Sequence, residues 1–331
     1  MRILVALDGS PSSIQTRDLV AGLQWPPGTV IRLVTAYEPP IDWTANLAAG
    51  MAWVGTAEDA LRDELTTELR RLAEPFDGHE WAFDVRVVRG RAASAILAAA
   101  REFDADLIAV GSRGRGPLAR MLLGSVSGEV VDQAPCSVLV ARDDHVSRLL
   151  VASDGSDIAD AIPHVLGEWG IFRGMASEAL SVAPLPARTY GLLADVYAPD
   201  AYGPKDDRQA LLDRHRGFAE DLARQLEQRQ IPAASSVVAG DAADEIINTA
   251  RRHGVDLIIL GTRGLHGVER VILGSVARNV VVHAPSSVLV VRGRQAPPAA
   301  DGRHDTPTTV TRPREPLQPT GARGASTLPN G

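Results

Sequence analysis

The stretch ADLIAVGSRGRGPLARMLLGSVSGEVVDQAPCSVLVAR, from Ala105 to Arg142, decides the fold because the chain contains it twice. It aligns without a gap to VDLIILGTRGLHGVERVILGSVARNVVVHAPSSVLVVR, from Val255 to Arg292, with 20 identities in 38 positions. The openings also repeat, since ILVALDGS at Ile3–Ser10 returns as LLVASDGS at Leu149–Ser156. Self-similarity at a fixed distance indicates a duplicated unit, so the sequence predicts two related domains of about 145 residues each.

Composition narrows the class of protein. The chain has 331 residues, 45% of them hydrophobic, and a formal net charge of −7, which disfavours nucleic acid as a partner. Its single cysteine, Cys136, excludes an intrachain disulfide. No apolar run approaches the roughly 20 residues of a membrane span, and Asp8 stands where a signal peptide would need apolar length. We therefore expect a cytoplasmic protein without a membrane partner.

Short apolar runs alternate with amphipathic helical patterns in both halves. Alternation of this kind predicts an α/β protein with two tandem, doubly wound, Rossmann-like domains, each with a five-stranded parallel sheet covered on both faces. The predicted domains are residues 1–143 and 147–293, joined by a linker too short to separate them. Residues 294–331 are rich in Pro, Gly and Thr and predict a disordered tail, since they offer little apolar surface to bury.

A glycine pattern follows the fourth predicted strand of each half. Its spacing is G-x2-G-x9-G-[ST], with Gly111, Gly114 and Gly124-Ser125 in the first half. Gly261, Gly264 and Gly274-Ser275 repeat it in the second half. Glycines let backbone approach a ligand closely, and a helix N-terminus offers unpaired N–H groups to phosphate. The pattern favours a phosphate cradle, although glycines that only shape a turn are the alternative for one loop taken alone.

Two aspartates and two arginines accompany these loops. Asp8 and Asp154 end the first strand of each half, where a carboxylate could accept hydrogen bonds from adenine or ribose, hold a cation, or cap the next turn. Arg113 and Arg263 could neutralise phosphate or be ordinary surface residues.

At these residues the chain resembles the universal stress protein family, in its tandem, ATP-binding form. The resemblance covers almost all of residues 1–292 and rests on L-V-A-L-D-G-S, D-L-I-x-x-G-[ST]-R-G, G-S-V and A-P-x-S-V-L-V-x-R. It implies ATP, together with Mg²⁺, as ligand, and pairing of the domains through Val138–Ala141 and Val288–Val291. A homodimer is a further implied assembly. The implied ribose and phosphate contacts are Gly111, Gly114, Gly124, Ser125, Val126 and Ser127, and Gly261, Gly264, Gly274, Ser275, Val276 and Ala277. The implied adenine contacts are Ala6, Asp8 and Ala36, and Ala152, Asp154 and Val182.

One departure separates the two predicted sites. Ala277 replaces the hydroxyl of Ser127, so we expect the second site to lose one phosphate or metal contact. Neither half contains the G-x4-G-K-[ST] motif, and no general base repeats between them, so we expect a regulatory nucleotide-binding protein with no catalytic residues and at most slow ATP hydrolysis. The alternatives are an ATP-using enzyme that adenylates or hydrolyses, and a stress scaffold that acts by dimerisation without nucleotide.

Overall fold

The computed structural model describes residues 1–38, 53–114, 123–184, 205–262 and 273–292. The strands are β1 (Arg2–Ala6), β2 (Val30–Tyr37), β3 (Ala82–Arg89), β4 (Leu107–Gly111), β5 (Ser137–Ala141), β6 (Arg148–Ala152), β7 (Ala176–Pro184), β8 (Ala233–Gly240), β9 (Leu257–Gly261) and β10 (Ser287–Val291). The α-helices of the described ranges are α1 (Pro11–Gly22), α2 (Trp53–Leu72), α3 (Ala92–Glu102), α4 (Ser125–Gln133), α5 (Asp157–Trp169), α6 (Lys205–Glu227), α7 (Ala242–His253) and α8 (Ser275–His283). The predicted tail at 294–331 lies outside the described residues.

All ten strands form one sheet in the order β3-β2-β1-β4-β5-β10-β9-β6-β7-β8. Neighbouring strands are parallel within each half, whereas β5 and β10 pair antiparallel, with Leu289 opposite Leu139. The prediction of two doubly wound, five-stranded parallel units is confirmed. We call the β5–β10 pairing the seam. Because it is antiparallel, the strands of the two halves run in opposite directions, and their carboxyl ends lie at opposite ends of the strand direction.

The core consists of two apolar layers, one on each face of the sheet. Residues that alternate along β1 divide between them, since Ile3 and Val5 belong to one layer and Leu4 to the other. Helices α1, α2, α5 and α6 supply apolar side chains to the first layer, and α3, α4, α7 and α8 supply the second. Each layer contains residues of both halves, and every residue of β4, β5 and β10 is buried. The halves are therefore packed together as well as paired.

Two arginines reach across the seam. The guanidinium of Arg292, which is 5% exposed, donates to the carbonyl oxygens of Val131 and Ala134, at the end of α4. Arg142 donates in the same way to Val281 near the end of α8, at 2.5 Å. The carbonyl end of a helix attracts cations, because its last C=O groups have no partner within the helix. Each half thus caps a helix of the other.

Burial lowers the pKa of Arg142 to about 10, and the positive charge of Arg113 adds to the shift. Burial also lowers the pKa of Arg292. The pKa of Arg142 stays above neutral pH, so this arginine still acts as a cation at the end of α8.

The carboxylate of Asp256 holds the start of β6. Its Oδ2 atom accepts hydrogen bonds from Ser147 N at 2.9 Å, Ser147 Oγ at 2.6 Å and Arg148 N at 2.9 Å. In the first half, Asp106 accepts from Arg2 N at 2.7 Å. Burial raises the pKa of the Asp256 carboxyl, but the hydrogen bonds from Ser147 and Arg148 outweigh this effect and lower it overall.

Asp256→Asn should lower the free energy of unfolding at pH 7 by about 1 kcal/mol, a value reduced by partial exposure to solvent. A carboxyl whose pKa is depressed by folding stabilises the protein above its unfolded pKa of about 3.9, and this stability is lost as the pH falls through the folded value. Urea unfolding between pH 7 and pH 3 should therefore show a smaller pH dependence in the variant than in the parent. A pH dependence equal to that of the parent would contradict this role of Asp256.

Candidate functional site

The predicted site residues gather at the carboxyl ends of the strands. In the first half the chain runs from β1 to β2 and β3 on one side and then returns to β4 on the other side of β1, which opens a crevice between β1 and β4. The same arrangement opens a crevice between β6 and β9 in the second half. Since the two sets of strands are antiparallel, one crevice lies where the strands of the first half end and the other lies at the opposite end of the strand direction.

Three segments meet in the first crevice. Ser10, the N-cap of α1, accepts from Ser13 N at 3.2 Å, and its own N–H donates to Asp8 Oδ1 at 2.9 Å. Gly124 N, at the start of α4, donates to Ser112 O at 2.7 Å and draws that helix to the end of β4. Arg113 N donates to Ser12 Oγ at 3.3 Å, which joins the glycine loop to α1.

Close packing explains Gly111 and places Gly114 beside a site residue. A Cβ atom on Gly111 would lie 2.7 Å from Ser12 Oγ and 2.9 Å from two backbone atoms of Ser12. A Cβ atom on Gly114 would lie 3.0 Å from Asp8 Oδ2. The first distance means that α1 occupies the space beside Gly111, and the second means that Gly114 adjoins the Asp8 carboxylate.

Ser127 makes a contact within the protein itself. Its hydroxyl donates to Gly111 O at 2.6 Å, and the residue is 5% exposed. A hydroxyl has one proton, so in this arrangement the proton is not directed at a phosphate oxygen. In the first half this hydrogen bond holds α4 to the end of β4. Ala277 cannot make the equivalent bond between α8 and the end of β9.

The second crevice contains a pocket of about 110 Å³, roughly ten times the space that one buried water needs. The residues that line it are Ala152, Ser153, Asp154, Ser156, Leu180, Val182, Ala242, Ile246, Leu260, Gly261, Thr262, Gly274, Val276 and Ala277. The lining combines apolar residues with Asp154, three residues that carry hydroxyl groups and the first turn of α8.

Most of the predicted second-site residues line this one pocket. They are Ala152, Asp154, Val182, Gly261, Gly274, Val276 and Ala277. Ser275 begins α8 beside them and is exposed. Arg263 and Gly264 lie outside the described residues. In the first half Ala6 is the last residue of β1 and Ala36 the last but one of β2. Ser125 and Val126 begin α4 beside Gly124.

Sequence reasoning missed the wall that α7 contributes to the pocket. Ala242 and Ile246 come from its first turns, after the N-cap Asp241, which accepts from Ala243 N at 3.0 Å. The apolar stripe of α7 predicts burial against the sheet, and Ala242 and Ile246 extend this stripe into the pocket. The residue types of Ala242 and Ile246 do not distinguish them from core residues. Their position in the first turns of α7, at the carboxyl ends of the strands, could have indicated a place in the pocket.

Comparison with known proteins decides the family. The model of the universal stress protein family matches residues 1–142 and again residues 145–292. The chain belongs to the universal stress protein family.

Individual relatives agree with this assignment. A universal stress protein of Thermus aquaticus is 34% identical over 142 residues, which cover 42% of this chain and 97% of the relative. One from Mycobacterium tuberculosis is 26% identical over 81% of this chain and 86% of its own length. The crystal structure of a universal stress protein from Archaeoglobus fulgidus superposes with a TM-score of 0.59 at 19% identity, over 88% of this chain and 96% of that one, and supports the fold.

Membership of this family supports a role in the response to stress and is consistent with a regulatory protein. The helices in the described part of the chain include none that is long and apolar enough to cross a membrane.

Proposed function

We propose that this chain is a cytoplasmic, regulatory stress protein that binds ATP, with Mg²⁺, at the carboxyl ends of its strands. The observation that carries the proposal is the pocket between β6 and β9, which joins an apolar slot, a carboxylate and a helix N-terminus. Each of these three parts suits a different part of a nucleotide.

The apolar slot suits a purine base. Leu180 and Val182 from β7 and Ile246 from α7 offer the kind of surface that ligand pockets present to flat, weakly polar groups. Asp154, at the edge of the slot, can accept hydrogen bonds from base N–H or ribose hydroxyl groups, or can assist a divalent cation with its oxygens.

The start of α8 suits phosphate. Gly274 is its N-cap and no side chain of its own caps the helix, which leaves backbone N–H groups of the first turn for an anion. Gly124 begins α4 in the same way in the first half. The triphosphate would supply negative charge that the helix N-terminus favours, and the short side chains at both helix starts leave room for it.

A regulatory role fits this set of groups better than rapid catalysis does. Phosphoryl transfer requires cations that clamp the phosphates and a group that positions the nucleophile. In the described part of the second crevice, Asp154 is the only charged residue that lines the pocket. Slow hydrolysis by bound water needs no further residue.

The proposal is tested by acid extraction of the natively purified protein and by calorimetric titration of the stripped protein with Mg-ATP. We expect one or two ATP per chain. Release of adenylated product on addition of a carboxylic acid would favour the enzyme alternative, and the absence of bound nucleotide and of heat would favour the scaffold.

Gly114→Ala should weaken the first site at least tenfold, because the new methyl group presses on the Asp8 carboxylate. Gly22→Ala is the matched control, since its methyl group would meet nothing within 4 Å. Asp154→Ala should weaken the second site by a similar factor. Calorimetric affinities measure all three, and equal affinity of the Gly114→Ala and Gly22→Ala proteins would contradict the position of the first site.

A further inference from the structure

We propose that His215 of α6, acting through Ser181, is a positioning residue for the turn that carries Asp154, and that it sets the affinity of the second site for ATP. The effect on affinity rests on the proposed function, whereas the effect on the turn does not. The turn comprises Ser153–Ser156, between β6 and α5.

A chain of hydrogen bonds links the imidazole to the turn. Ser181 Oγ lies 2.8 Å from Ser153 O and 2.9 Å from His215 Nδ1. A carbonyl oxygen can only accept, so the single hydroxyl proton of Ser181 goes to Ser153 and its oxygen accepts the Nδ1–H of His215. This assignment fixes the tautomer of the ring. Ser181 is fully buried and His215 is 8% exposed, so water does not readily replace either bond.

A second contact comes from the next turn of the same helix. Phe218 packs edge-on against His215, with ring centroids 5.4 Å apart and an interplanar angle of 77°. A Cβ atom on Gly155 would lie 2.5 Å from carbons of the Phe218 ring, and Gly155 has a φ of +72° that favours glycine. Helix α6 therefore fixes the turn at Ser153 and at Gly155, on both sides of Asp154.

Within the turn, further bonds transmit this position to the carboxylate. Gly155 N donates to Ser153 Oγ at 3.1 Å, and Ser156 N donates to Asp154 Oδ1 at 3.1 Å. Ser153, Asp154 and Ser156 all line the pocket. Movement of the Ser153 carbonyl would therefore move the side chain that we assign to the nucleotide.

The first half has a hydroxyl group equivalent to that of Ser181, but no histidine is bonded to it in the described residues. Thr35 Oγ1 donates to Leu7 O at 2.7 Å, as Ser181 does to Ser153. His79 is the only histidine in residues 1–143, and it stacks on Trp81 with ring centroids 3.9 Å apart. The imidazole is therefore a property of the second site.

Burial and the positive charge of Arg214 lower the pKa of His215, and Asp154 opposes the shift. The ring is therefore neutral at pH 7, and its function in this chain of bonds is that of a neutral N–H donor. An asparagine can supply an N–H group close to the position of Nδ1, whereas a leucine of similar bulk cannot.

The test compares His215→Asn with His215→Leu, both in the Gly114→Ala background so that the second site dominates. Titration with Mg-ATP should give an affinity within about threefold of the parent for Asn and at least tenfold weaker for Leu. Hydrogen exchange of the peptide that contains Ser153–Ser156, measured without nucleotide, should be faster for Leu and unchanged for Asn. Ser181→Ala removes the bridging hydroxyl and should behave as Leu does, which covers the case that the Leu variant does not fold.

The outcomes separate the two proposals. If the parent binds no ATP, the proposed function fails, and hydrogen exchange alone decides whether His215 positions the turn. Unchanged exchange in both the Leu and Ala variants would overturn the inference. Equal losses of affinity in the Asn and Leu variants would also overturn it, because the hydrogen bond would then not be the cause.

Discussion

Leu289→Asp should lower the free energy of unfolding by more than 4 kcal/mol and leave little folded protein at 25 °C. Leu289 is 1% exposed and lies between Leu139 across the seam and Ile259 on β9. A carboxylate there has no cation among its strand partners and cannot reach water. Urea unfolding followed by circular dichroism, together with the yield of soluble protein, measures the effect.

Leu289→Met is the matched control, because a change that conserves volume in a core costs less than about 1.5 kcal/mol. If the Asp and Met variants unfold at the same urea concentration, Leu289 is not buried at the seam. If only the second half of the Asp variant loses structure while the first half remains folded, the seam is paired but does not couple the stability of the halves.

Arg292→Met should lower the free energy of unfolding by about 3 kcal/mol. The substitution leaves two buried carbonyl groups at the end of α4 without their donor, and such groups each cost about 1–3 kcal/mol when unpaired. It also removes a cation from a helix C-terminus, while methionine keeps much of the volume. Urea unfolding at neutral pH measures the loss.

Arg71→Met is the surface control for this experiment. Arg71 forms an exposed ion pair with Glu68 on α2, so its removal should change stability by less than about 0.5 kcal/mol. Arg142→Met, at the equivalent place in the first half, should have an intermediate effect because Arg142 is only half-buried. Equal stability of the Arg292→Met and Arg71→Met proteins would show that the contacts across the seam are not stabilising.

The fold could be predicted because two signals in the sequence agree. The repeat identified the halves, and the wholly apolar runs at Leu107–Val110 and Val138–Ala141 are typical of strands buried on both faces of a parallel sheet. The division at 143 and 147 stays a prediction. That all ten strands form one sheet required the family resemblance, because strand periodicity does not indicate which edges pair.

The candidate site could be predicted less completely. Glycine spacing identified Gly111 and Gly114, yet the reason for Gly111 is its contact with Ser12, about 100 residues away in sequence. The contribution of α6 escaped notice because His215 and Phe218 read as ordinary helix residues. Their importance comes from tertiary contacts, of His215 with Ser181 and of Phe218 with Gly155, which no local pattern encodes.

The seam also affects how the protein responds to dilution. Only six residues separate the end of β5 from the start of β6, so the two halves are held close together by the chain. The seam strands β5 and β10 therefore meet at an effective concentration of the order of millimolar or higher. A pair of separate one-domain subunits would dissociate as their concentration fell. Here the two crevices remain in a fixed one-to-one ratio at any concentration of the protein, even when only a few copies are present in a cell.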